Sequence, residues 1–174
     1  MFEYRVLIPK DRVGVLIGEK GKIKRLIERR ANAKITIVDE EVTIKSEDSY
    51  NAWTCKQVIK AIGRGFNPVE ALDITKEGYA FEMIDVMDYA RNQKDKYRLS
   101  GRVIGEKGKT KSYIENKTEC NISIFGKTIG VIGPEEEIKD AVEAVKMLLK
   151  GAQTSSVYKF LEKKAKMRIK KELV

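Results

Sequence analysis

Apolar side chains alternate from Tyr4 through Val6 to Ile8, the period-two signature of a strand with one buried face, and Pro9 ends it. The period then lengthens. Val13, Leu16 and Ile17 predict a short helix over residues 10–17, and Ile23, Leu26 and Ile27 a second over 22–33, with Gly18-Glu19-Lys20-Gly21 breaking the chain between them. Two strands, 34–38 and 42–45, follow around the acidic turn Asp39-Glu40-Glu41. A helix from about residue 50 to 64 comes next, capped by Ser46 or Asp48 and stopped by Gly63 and Gly65, with Trp53, Val58, Ile59 and Ile62 inside.

The pattern then runs a second time. Asn67-Pro68 caps one helical turn through Leu72, and 79–87 reads as a strand. Residues 88–97 are a polar insertion, 98–104 a short helix, 105–108 the break, and 109–117 the next helix. Strands 121–125 and 128–132 form a hairpin around Gly126-Lys127. Pro134 starts a helix with Glu135, Glu136 and Glu137 in its first turn and Lys146 and Lys150 near its end, before Gly151. In the remaining residues Val157, Phe160, Leu161 and Ala165 share a helical face, and Lys159, Lys163, Lys164, Lys166, Arg168, Lys170 and Lys171 occupy the others.

Ile-Gly-Glu-Lys-Gly-Lys occurs at 17–22 and again at 104–109, 87 residues later, and laying 15–37 on 102–124 gives 11 identities in 23 positions. A spacing this long fits two tandem small domains, not a solenoid. The expected division is 1–66, a linker 67–78, a second domain 79–151, and a basic helical extension 152–174. Each copy reads strand, helix, helix, strand, strand, helix, so the fold class is α+β.

Charge sharpens the picture. The chain of 174 residues has 35 basic against 26 acidic side chains, a net of +9, which favours an anionic partner. Residues 1–72 hold 14 basic and 10 acidic groups, 73–150 hold 14 of each, and 151–174 hold 7 and 2. There is no histidine, no metal-spaced cysteine pair, no phosphate-binding P-loop pattern and no Gly-x-Ser-x-Gly elbow, so the sequence offers no catalytic constellation and calls for no cofactor or metal. Asp85 and Asp88 are lone carboxylates, and Cys55 and Cys120 read as small buried hydrophobes. No apolar run spans a bilayer, which predicts a soluble, cytoplasmic protein without a membrane partner.

A helix–GxxG–helix joint leaves backbone N–H groups and a helix N-terminus facing an anion, and Lys20, Lys22, Lys107 and Lys109 add charge for phosphate. Inside a βααββα frame, Ile-Gly-x-x-Gly-Lys followed by an Ile-x-Ile strand resembles the KH domain, of eukaryotic type (type I). The resemblance implies a three-stranded antiparallel sheet against helices in each copy, and a GXXG loop that clamps the backbone of about four single-stranded nucleotides. The second copy, from Arg98-Leu99-Ser100-Gly101-Arg102 through Thr110-Lys111 to Ile114-Glu115-Asn116, with Ser155-Ser156-Val157-Tyr158, resembles the ribosome-assembly family called partner of Nob. That implies a non-catalytic factor that binds small-subunit rRNA near its 3′ end and assists a PIN-domain endonuclease. Eukaryotic members lack a working GXXG in the first unit, whereas Gly18 and Gly21 are intact here.

The candidate RNA-binding residues are Arg102, Gly105, Glu106, Lys107, Gly108, Lys109, Lys111, Ile122, Ile124 and Lys127 in the second copy, with Gly18, Lys20, Gly21, Lys22 and Arg25 in the first. In such a domain the hairpin turn walls the groove. Asp39-Glu40-Glu41 would repel phosphate there, whereas Phe125-Gly126-Lys127 offers a stacking face and a cation, so the second copy is the expected reader. Arg25, Arg29 and Arg30 enrich the first copy in cations, as RNA ligands or as a solvated face. The basic tail either lies along RNA or docks its apolar stripe. Two other readings stay open: a scaffold that holds a nuclease or translation factor, and a general mRNA-binding protein.

Overall fold

The computed structural model describes residues 1–174. It divides into two compact units, Met1–Phe81 and Glu82–Val174, with a three-stranded antiparallel sheet in each βααββα frame.

In the first unit β1 (Phe2–Leu7) is followed by α1 (Lys10–Ile17), α2 (Lys22–Ala31), β2 (Lys34–Val38), β3 (Glu41–Ser46) and α3 (Ser49–Gly63). The strand order is β1–β3–β2, so β3 is central and β2 is an edge. Alternation in β3 sends Val42 and Ile44 to the helical side, where both are fully buried. Leu16, Ile27, Ile35, Ile59 and Ile62 complete that core. Val38 pairs directly with Glu41, so the turn is only Asp39-Glu40 and Glu41 opens β3. Asp48 caps α3, accepting from the Asn51 N–H at 2.9 Å.

Trp53 departs from the sequence reading, being 46% exposed. The buried stripe of α3 is carried by Ala52, Cys55, Ile59 and Ile62, and Trp53 stands one residue, about 100° of helix, off it. The stretch expected as linker is ordered against the first unit. Asn67 caps α4 (Pro68–Leu72), and α4 and the single 3₁₀ turn after it pack on α3.

The plan repeats from β4 (Tyr79–Asp85), which spans the division at Phe81, with α5 (Gln93–Ile104), α6 (Lys109–Thr118), β5 (Asn121–Phe125), β6 (Thr128–Pro134) and α7 (Glu135–Leu149) in the second unit. The strand order is β4–β6–β5, again with the hairpin's first strand at the edge. Helix α5 starts earlier than its apolar pattern. Asn92 accepts from the Asp95 N–H at 2.9 Å and Arg98 pairs with Asp95 at 2.6 Å, so half of the polar insertion is a capped, solvated helical turn. Pro134 precedes α7 in extended conformation, leaving Glu135 as its first residue.

The basic extension is α8 (Thr154–Glu172), packed along α6 and α7. Val157 and Leu161 are buried, and the Tyr158 ring stacks on Tyr113 at 3.8 Å. Arg168, on a face other than the apolar stripe, clamps the helix down. It pairs with Asp140 at 2.5 Å and donates to the Lys117 carbonyl at 2.8 Å. Burial pushes the thiol of Cys55 up to about 12 and that of Cys120 to about 11, so both stay protonated and unreactive.

Candidate nucleic-acid interface

The two glycine joints adopt one conformation. Gly18 has φ 71°, ψ 177° and Gly105 φ 74°, ψ 174°, a region reserved in practice for glycine. Space enforces the same choice. A Cβ at Gly18 would lie 2.3 Å from Ile23 Cγ1, and one at Gly105 2.2 Å from Thr110 Oγ1 and 2.8 Å from the Thr110 amide. Each first glycine hangs from the preceding helix, the Gly18 and Gly105 N–H groups donating to Gly14 and Gly101 at 2.9 Å. Lys20 and Lys107 then take the left-handed conformation, at φ 52° and 53°, and their side chains are exposed. No side chain caps α2 or α6, so the positive end of each helix dipole is left to an anion or to solvent. Glu19, Lys22, Glu106 and Lys109 are exposed around it.

One carboxylate ties each joint's second helix to the neighbouring edge strand. Glu28 accepts from the Ile35 N–H at 2.8 Å, and Glu115 from the Ile122 N–H at 3.0 Å. All four residues are identities in the repeat, and sequence reading leaves them without this role. The one signal for it is that both hook and strand residue recur 87 apart. The hook ties α6 to β5, and its counterpart ties α2 to β2. Since the Ile122 amide points away from β6, alternation turns the Ile124 amide and carbonyl outward too, and likewise Ile37 in the first unit. Those backbone groups lie on the open edge of each sheet.

The structure gathers Gly105, Glu106, Lys107, Gly108 and Lys109 in the loop, while Ile124 is half-buried on β5 and Lys127 exposed in the hairpin turn. Lys127 also lies 4.0 Å from Asp85. Three expected contributors also make contacts within the fold. Arg102 donates to the Leu148 carbonyl at 2.7 Å and to that of Ala152, closing the C-terminal end of α7; Arg12 does the same for α3, through Ile62 and Phe66 at 2.8 and 2.7 Å. Lys111 pairs with the hook carboxylate Glu115 at 3.2 Å, as Lys24 does with Glu28 at 3.5 Å. The Ile122 side chain is 4% exposed and belongs to the core. Phe125 stands on the opposite face of β5 from Ile122 and Ile124, because side chains alternate along a strand.

The first unit gathers Gly18, Lys20, Gly21 and Lys22 in the same loop. It adds Arg25, whose Nη1 would meet a Cβ on Gly21 at 2.9 Å, whereas Gly108 has nothing within 4 Å. Its turn carries exposed Asp39 and Glu40 where the second unit has Gly126 and Lys127.

Comparison with known proteins agrees with this geometry. Residues 80–166 match the eukaryotic type KH-domain (KH-domain type I), and residues 3–61 match the KH domain. The chain is 47% identical over 161 residues to the KH domain-containing protein MJ0443 of Methanocaldococcus jannaschii, covering 90% of this chain and 71% of that one. It is 26% identical over 162 residues to the pre-rRNA-processing protein PNO1 of Chaetomium thermophilum, covering 88% of this chain and 62% of that one. A chain of the crystallised a/eIF2α–aDim2p–rRNA complex of Pyrococcus horikoshii aligns with TM-score 0.87 and 39% identity, over 95% of this chain and 94% of that one. The fold and its glycine joints therefore define a tandem type I KH protein, an RNA-binding class. Within that class the chain belongs to the PNO1/Dim2 family, and it is similar to the family's archaeal members.

Proposed function

We propose that this protein binds single-stranded rRNA of the small ribosomal subunit, near its 3′ end, through its second KH unit, and serves subunit assembly without catalysis of its own. The observation that carries this reading is the groove of the second unit. A glycine-locked loop with Lys107 and Lys109 leads into α6, which Glu115 ties to the edge strand that carries Ile124, and Lys127 adds a cation at the turn. Phosphates are held by the loop amides, the α6 dipole and the two lysines. Bases pair by their edges with the β5 backbone, while the Glu115 hook holds that backbone at a fixed distance from the loop.

The names of relatives support the ribosomal assignment, one being a pre-rRNA-processing protein and another an rRNA complex. Asp85 caps the turn after β4, accepting from the Met87 N–H at 2.9 Å, and Asp88 is exposed, which supports a binding role over hydrolysis. No helix is long and apolar enough to cross a membrane, in keeping with a cytoplasmic assembly factor. A PIN-domain endonuclease is the protein partner this reading calls for. The presence of a/eIF2α beside a similar chain favours a second, compatible reading, in which the protein also scaffolds a translation factor.

The test is competition binding of the 3′-terminal small-subunit rRNA segment against a scrambled strand of equal length. The proposal expects at least about tenfold preference for the rRNA segment, the scale of one good base-specific interaction. Equal affinity would make this a general RNA-binding protein.

A further inference from the structure

The outward face of α8 has no use in the RNA groove. Its inward face is spent on docking through Val157, Leu161 and Arg168. Opposite that face, Lys159, Lys163, Lys166 and Lys170 fall within an arc of about 60° and run about 16 Å along the axis. All four are exposed, and none has a carboxylate within ion-pair distance. The acid among them, Glu162, accepts from the Tyr113 hydroxyl at 3.1 Å. Lysines at these i,i+3 and i,i+4 spacings repel one another and oppose the helix they stand on. An unneutralised ladder of this kind is complementary to a polyanion.

The N-terminal end of the ladder lies toward the glycine loop of its own unit. Tyr158, beside Lys159, stacks on Tyr113 at 3.8 Å, and Tyr113 lies one helical turn beyond the loop residue Lys109. A membrane surface fits less well, since the apolar stripe that would insert is buried against α6 and α7. An acidic protein fits less well because the outward face offers no aromatic anchor. We propose that Lys159, Lys163, Lys166 and Lys170 form a sequence-independent phosphate track, which extends the second unit's RNA footprint past the nucleotides held in its groove.

This rests on the second unit's being an RNA reader, and RNA length separates the two claims. The titration uses a five-nucleotide RNA, about what a KH groove spans, and the same sequence extended to about 15 nucleotides. Wild type is compared with Lys159→Gln/Lys163→Gln/Lys166→Gln/Lys170→Gln, whose exposed glutamines keep the helix. A control replaces Lys94, Lys139, Lys146 and Lys150, on other surfaces of this unit, by Gln. The track variant should bind the short RNA as wild type does. On the long RNA it should lose about fivefold in affinity at 0.1 M salt for each phosphate left without its lysine, with a shallower salt slope. Equal loss in the control, equal loss on the short RNA, or no loss on the long RNA would overturn the proposal. Loss of binding to phosphatidylserine vesicles with long-RNA binding intact would overturn it in favour of a membrane. Failure of wild type to bind the short RNA would count against the groove alone, because the difference on long RNA still reports the track.

Discussion

The turns after β2 and β5 are the same piece of backbone with opposite chemistry. Asp39 and Gly126 occupy one left-handed position, at φ 53° and 55°. The next residues, Glu40 and Lys127, accept with their carbonyls from the Ile8 and Val86 N–H groups at 3.0 and 2.8 Å. The paired strands continue from Glu41 and Thr128. Across these three positions the first unit carries three carboxylates and the second a single lysine, a difference of four charges. The glycine joints, in contrast, agree in conformation and nearly in sequence. Folding constrains the joint in both units, whereas the turn is free to vary, and it varies in the direction that repels or attracts phosphate.

If the joint is a folding constraint in both units, Gly18→Ala and Gly105→Ala should each cost about 3 kcal/mol or more, from a glycine-only conformation and a Cβ without room. Gly14→Ala, a helical position with nothing within 4 Å, should gain about 0.5–1 kcal/mol. Urea unfolding followed by circular dichroism checks all three, and a mild Gly105→Ala would break the comparison. Next in size, Glu28→Ala and Glu115→Ala should each lose about 1–3 kcal/mol by orphaning a strand amide and freeing a lysine. RNA affinity should fall only with Glu115→Ala, and an equal fall in both would place both grooves in use. The smallest effect sharpens the turn contrast. In a background with the second loop disabled, Asp39→Gly/Glu40→Lys should raise residual RNA affinity about fivefold or more at 0.1 M salt, the scale of a single new lysine–phosphate interaction. An unchanged affinity would show that the turn does not set the difference.

The repeat made most of this legible from the sequence. Alternation and helical spacing located the sheet strands and three of the four joint helices nearly to the residue, because each element has one buried face. The start of α5 was hidden because a solvated turn capped by Asn92 carries no apolar periodicity. Trp53 misled because bulk suggests burial, while the phase of α3 is set by smaller residues. At the site, local chemistry singled out the loop, but the contacts that Arg102 and Lys111 make within the fold were hidden for a shared reason. A cation near a phosphate loop looks like a ligand until its partner is known, and those partners, the Leu148 carbonyl and the Glu115 carboxylate, depend on tertiary contact or helix phase. The hook itself showed only as an unexplained identity. The docking of α8 was visible as an apolar stripe, and Arg168 was not, since Asp140 and the Lys117 carbonyl come together only in the fold.

The most direct measurement titrates the rRNA 3′ segment against three proteins: wild type, Lys107→Asp/Lys109→Asp, and Lys20→Asp/Lys22→Asp. All four side chains are exposed, so charge reverses at matched positions with both glycine joints intact. The account predicts a loss of at least about 25-fold at 0.1 M salt for the second-loop variant, the scale of two lysine–phosphate interactions, and a change under about threefold for the first. A larger loss in the Lys20/Lys22 variant would contradict it and make the first unit the reader.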